Sequence, residues 1–117
     1  MKENTITLEQ AQKWAARWRN EEGTYNAHNK LKAFLIPKVD IIEVLAEDID
    51  AARAYIGIDD DGVERLMIVG TKYDPKTDTY VDMISGTTNG ETLVEGDIYD
   101  FTQPCPDTCD RKSPLYL

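Results

Sequence analysis

The chain has 117 residues, 41% of them hydrophobic and 30% charged. That fits one globular domain and argues against disorder. A formal net charge of −9 repels phosphate backbones and anionic lipid, so nucleic acid and membrane surfaces are disfavoured as partners, whereas a basic protein surface is not.

No apolar run approaches the roughly 20 residues of a membrane span. The opening MKENTITLEQ has no apolar stretch of a signal peptide, so a cytoplasmic location is expected. Residues 1–5 read as a loose lead-in. Thr7 and Gln10 have the spacing of a capping box, in which each satisfies a backbone N–H of the other. Leu8, Ala11, Trp14, Ala15 and Trp18 then recur at helical spacing, with Glu9, Gln12, Lys13 and Arg17 on the wet face. The spacing predicts a helix from Leu8 to Asn20, stopped by Gly23. Thr24 to Lys32 is a polar loop containing the only histidine, His28. Ala33 to Ile36 reads as a buried strand, and Pro37 is well placed to open a second helix over 38–47. Its stripe of Val39, Ile42, Leu45 and Ala46 is expected to face the core, with Asp40, Glu43 and Glu47 outward.

Two β-rich segments within Ala51–Tyr73 flank Asp61-Gly62, a strong hairpin signal. A two-residue loop there would set Ile56 opposite Met67 and Ala54 opposite Val69. One face would carry Ala54, Ile56, Ile58, Met67 and Val69, the other Tyr55, Leu66 and Ile68, with gaps at Gly57 and Gly70. Both faces are apolar, so both need cover. Asp74-Pro75 starts a further turn, and Thr79 to Ile84 alternates like the next strand. Residues 85–97 read as a mobile loop, with a short pairing conceivable at Thr92 to Val94. Residues 98–117 carry Pro104, Pro106 and Pro114, which bar a helix, together with Ile98, Tyr99, Phe101, Leu115 and Tyr116. A tail this apolar is expected to wrap the sheet.

Trp18-Arg19-Asn20, the segment Lys32 to Pro37, Arg53 to Ile58, Leu66 to Gly70, and above all Ile98-Tyr99-Asp100-Phe101 followed by Pro104-Cys105-Pro106 and Cys109 resemble a family of short bacterial proteins with no assigned activity. The resemblance spans nearly the whole chain and implies a shared fold without implying chemistry. The chain departs from the pattern in its longer region from Asp74 to Gly96.

Candidate chemistry is sparse. Cys105 and Cys109 have a spacing seen in zinc sites, but Asp110 and His28 would be the only further ligands. A disulfide closing the small loop is the second alternative, and two thiols packed as small hydrophobes the commonest outcome. Asp59-Asp60-Asp61-Gly62 begins like a calcium loop, yet position 68, where the pattern needs glutamate, is Ile. An ordinary acidic turn is expected. His28 has no evident orienting partner, and no phosphate loop or nucleophile elbow is present. The expectation is a single α+β domain: a small, mostly antiparallel sheet of three to five strands, two helices on one face, and the Pro/Cys tail packed on the sheet. No cofactor is expected. The leading function is a non-enzymatic protein-interaction module whose surface combines Trp18, Arg19, Asn20, Tyr99 and Asp100. A metal-binding or thiol-dependent protein comes next, then a ligand-binding or hydrolytic enzyme with a pocket between the first helix and the sheet.

Overall fold

The computed structural model describes residues 5–20 and 31–116, without the side chains of Arg19 and Asn20. The lead-in before Thr5, the stop at Gly23, His28 and the loop over 24–30 lie outside the described residues. The fold is α+β. Its elements are β1 (Thr5–Ile6), α1 (Leu8–Asn20), β2 (Ala33–Leu35), α2 (Lys38–Ala46), β3 (Ala51–Ile58), β4 (Glu64–Asp74), β5 (Thr79–Asp82), β6 (Thr87–Asn89), β7 (Thr92–Val94), β8 (Ile98–Tyr99) and β9 (Gln103–Cys105). The capping box forms as expected: the Gln10 N–H donates to Thr7 Oγ1 at 3.1 Å and the Thr7 N–H to Gln10 Oε1 at 3.2 Å.

The principal sheet has five antiparallel strands centred on β4. β3 pairs along one edge of β4, while β5 and β8 follow one another along the other, at Thr71 to Asp74 and at Ile68. β1 adds outside β8, with Thr5 opposite Tyr99, so the lead-in already contributes a strand at its last residue. β2 pairs with β9 in a second, two-stranded sheet. The segment expected as a mobile loop carries the β6–β7 hairpin.

The β3–β4 register differs from the expected one by a single residue: Ile56 faces Leu66 and Ala54 faces Ile68. The cause is the loop. It has three residues, Asp60 to Gly62, closed by the Asp59 N–H on the Val63 carbonyl at 2.9 Å and the Gly62 N–H on the Asp59 carbonyl at 3.0 Å. Only Gly62 has positive φ, at 80°, as in the three-residue hairpin with a left-handed last position. Because side chains alternate, one residue of slip exchanges faces. Met67 and Val69 now share a face with Tyr55 and Gly57, and Ile68 points to the other side.

That exchange separates the two helices. α1 covers the first face, where Trp14 packs with Met67, Val69 and Ile98. α2 covers the opposite face, where Val44 packs with Ile68 and Tyr99, and Ile36 and Ile49 flank them. The expected arrangement of both helices on one face does not occur. The back of the sheet is covered by α2, while the tail enters the plane of the sheet as β8 and then leaves to pair with β2. Each glycine gap is filled from its own side. A Cβ on Gly57 would lie 2.8 Å from Met67 Cε and 2.9 Å from Trp14 Cβ, and one on Gly70 would lie 2.3 Å from Ile49 Cγ2.

α2 occupies the expected span but is turned over. Asp40 is 0% exposed and Val44 5%, whereas Val39, Ile41, Ile42 and Leu45 are 40%, 44%, 53% and 66% exposed. The inward carboxylates have work there. Asp40 Oδ2 accepts the Phe101 N–H at 3.0 Å, and Glu47 Oε2 accepts the Asp97 N–H at 3.1 Å and the Tyr99 hydroxyl. They accept from part-buried backbone donors on both sides of β8. Burial, then the Glu47 bond, raises the Tyr99 pKa, so the phenol stays protonated.

At Gly57 the contact is with a tryptophan stem and a methionine end, and part of the strain is relieved by Met67 moving. Gly57→Ala is therefore expected to cost about 1–3 kcal/mol, read as a lowered denaturation midpoint with an unchanged slope; wild-type stability in this variant would mean that α1 does not press on β3 here.

Candidate functional site

The tip of the β3–β4 hairpin, α1, Pro37 and the chain after β8 converge on an open cavity of about 490 Å³. Trp14, Asp59, Asp60, Arg65, Asp100 and Phe101 are among the side chains lining it. The acidic run is mostly committed to structure. Asp59 Oδ1 accepts the Asp61 and Val63 N–H groups, both at 2.9 Å, and its Oδ2 accepts Arg65 Nε at 2.9 Å. Asp60 Oδ1 accepts Arg17 Nη1 at 3.0 Å and Trp14 Nε1 at 3.4 Å. The acidic turn is thus a self-capping hairpin tip tied to α1. Arg65 also donates to the Thr102 carbonyl.

Asp100 differs. It is half-buried, and its Oδ1 has no hydrogen-bond partner among the described residues. Burial pushes its carboxyl above the ordinary range, the nearby Asp40 charge pushes it further, and Arg65 partly offsets both. At Asp59 burial also pushes upward, but the Val63 N–H, Arg65 and the Asp61 N–H outweigh it and hold the carboxyl low. No serine, threonine, cysteine, lysine or histidine is among the described residues lining the cavity, which is a polar, aromatic-edged recess whose charged groups are carboxylates and the Arg65 guanidinium.

Of the residues nominated from sequence, the three whose side chains are described lie in different surroundings. Tyr99 is 0% exposed in the second core cluster, because β8 is an interior strand. Asp100 lines the hairpin-tip cavity, Trp18 is half-buried on α1, and the side chains of Arg19 and Asn20 lie outside the described residues. The two sulfurs, expected to be separate thiols, are joined: Cys105 and Cys109 form a disulfide with Cα atoms 4.6 Å apart. β9 and the turn after it bring the sulfurs together, with Thr108 folded back so that its N–H reaches the Pro104 carbonyl at 3.1 Å. In this state neither sulfur is a thiolate ligand. Among the described residues no group of three His, Cys, Asp or Glu could hold a metal. Asp110 instead accepts the Lys112 N–H at 3.1 Å in a local turn.

Two features escaped the sequence reading. One is the outward aliphatic face of α2. The other lies on the α1 side of the sheet, where Asp82 of β5 accepts both the Tyr55 hydroxyl and Arg53 Nη1. Arg53 also reaches the Tyr80 carbonyl at 3.1 Å. The constellation spans two strands, and only the pairing of each with β4 brings it together. Arg-x-Tyr at 53–55 does place two polar side chains on one face of a strand, which was the available signal.

The two carboxyls set opposite pH dependences. A depressed folded pKa at Asp59 gives stability that is present above the unfolded value of about 4 and lost as pH falls through the folded value. A raised pKa at Asp100 gives a contribution that is complete below about 4 and lost as pH rises through the folded value. Asp100→Asn is therefore expected to raise the melting temperature at neutral pH, with the gain fading toward pH 4, while Asp59→Asn lowers it at neutral pH and narrows the acid-induced fall; parallel pH profiles for both variants and wild type would contradict this assignment. Comparison with known protein families, with curated proteins and with solved structures finds no match to the chain.

Proposed function

We propose that the protein is a small, acidic, non-enzymatic protein-interaction module that docks its partner on the outward face of α2. The observation that carries this reading is the inverted helix. Val39, Ile41, Ile42 and Leu45 face water while Asp40 is sealed inside. Four adjacent aliphatic side chains exposed together mark an interaction surface rather than the scattered apolar residues of an ordinary exterior. Covering such a side chain is worth about 1.5–3 kcal/mol. Asp48 and Asp50 stand exposed just beyond the helix, and the whole chain carries −9. The fitting partner is a segment with an apolar strip flanked by lysine or arginine. A second copy would bring another −9 to the contact and is disfavoured by it.

A synthetic amphipathic helix of leucine and lysine, titrated into labelled protein at low salt, is expected to shift the amides of 38–46 and to bind more weakly at high salt. Ile42→Glu with Leu45→Glu should weaken it by about tenfold or more. Shifts elsewhere, equal binding of a leucine–glutamate helix, or a self-association abolished by the same double variant would overturn the proposed partner.

A cytoplasmic location belongs to the same proposal; among the described residues no helix is long and apolar enough to cross a membrane. The cytosol works against the Cys105–Cys109 bond. Rapid acid quenching and alkylation of the protein from its native cells are then expected to label both cysteines; recovery of the intact disulfide would place the protein in an oxidising compartment.

A further inference from the structure

A second concavity lies on the other side of the sheet, between α1 and the strands. It is an open cleft of about 360 Å³. Leu8, Ala11 and Ala15 form its helical wall, and Met67, Val69 and Ile98 its floor. The cleft exists because α1 directs two alanines, one turn apart, at this part of the sheet while Trp14 presses on Gly57 beside it. Larger side chains at 11 and 15 would fill it. An apolar recess left open forfeits dispersion contacts on every wall and stability with them. Its retention is explained if something else occupies the space.

The polar groups sit in a recognisable arrangement. Tyr55, Asp82 and Gln12 also line the cleft. Asp82 is held by the Tyr55 hydroxyl and by Arg53, so its charge is balanced locally. Two bonds leave a carboxylate with unused lone pairs, and a donating phenol keeps its own. Asp82 and Tyr55 therefore accept a hydrogen bond without demanding a cation, Gln12 can accept or donate one, and a carboxylate or phosphate would meet the Asp82 charge. A dry cavity of about 150 Å³ holds benzene, so this cleft has room for more than one ring's volume.

We propose that the cleft between α1 and the sheet binds a small uncharged aromatic molecule that carries one hydrogen-bond donor, of the phenol or indole class, with its ring among Ala11, Ala15, Met67 and Val69 and its donor on Asp82 or Tyr55. The site is on the opposite face from α2 and independent of the interaction proposed there.

The test uses the full chain with indole and 4-ethylphenol as probes, ethylbenzene as a probe without a donor, and phenylacetate as a charged one. Binding is followed by amide and methyl shifts of the protein. Indole and 4-ethylphenol are expected to bind and to shift Ala11, Ala15 and Ile84, which also lines the cleft. Ethylbenzene should bind about fivefold more weakly for the missing hydrogen bond, and phenylacetate weakest. Ala15→Leu should abolish binding without lowering the melting temperature, because the leucine takes the ligand's place. Ala11→Val serves the same purpose should Ala15→Leu fail to fold. Ile42→Glu should leave probe binding unchanged, which separates this site from the α2 surface. No binding of indole or 4-ethylphenol, binding that survives the filled cleft, or shifts confined to the hairpin-tip cavity would overturn the site. Equal binding of ethylbenzene or phenylacetate would overturn the ligand class.

Discussion

The arrangement of the sheet faces depends on the carboxylate of Asp59. By accepting the Asp61 and Val63 N–H groups and Arg65, it holds a loop of three residues where two would also have been possible. Loop length sets the pairing of β3 with β4, and the pairing decides which side chains meet α1 and which meet α2. Met67 and Val69 thereby face Trp14, and Ile68 faces Val44. Arg65 carries the same interaction on to the Thr102 carbonyl, so the hairpin tip and the C-terminal segment are fixed through one ion pair.

The orientation of α2 reflects a close contest. Facing its aliphatic stripe inward would bury several side chains worth about 1.5–3 kcal/mol each. It would also remove the Asp40 and Glu47 carboxylates as acceptors for the Asp97 and Phe101 N–H groups and the Tyr99 hydroxyl, at up to about 1–3 kcal/mol for each bond lost. The terms are of similar size. The carboxylates win because β8 is an interior strand and the residues flanking it leave the ladder, so their N–H groups turn to side-chain acceptors. A partner on the outer face removes the conflict, since both sets of groups are then satisfied.

Local chemistry was legible in the sequence wherever neighbours in the chain decide the outcome. The capping box at Thr7 and Gln10 marked the start of α1, Pro37 marked the start of α2, and the alternation in Ala51–Tyr73 and Thr79–Ile84 marked the strands. What could not be read depends on distant partners. On α2 the acidic positions 40, 43 and 47 form as regular a stripe as the aliphatic ones, and only the N–H groups of the C-terminal segment choose between them. Asp-Gly announces a hairpin but not its loop length, because the decisive acceptor is the aspartate two residues earlier. Tyr99 looked like a tail residue on a surface because nothing near it in the chain reveals that β1 and β4 pair on either side.

The Thr102 side chain acts as a stand-in for a strand. Its hydroxyl accepts the Leu66 N–H and donates to the Leu66 carbonyl, both at 2.9 Å, where β8 has already ended. The outer margin of β4 is thereby closed along its length by β5, β8 and one hydroxyl. An open margin on a strand this rich in branched aliphatics would template the addition of neighbouring molecules. One buried threonine thus helps to keep the central strand from seeding fibres.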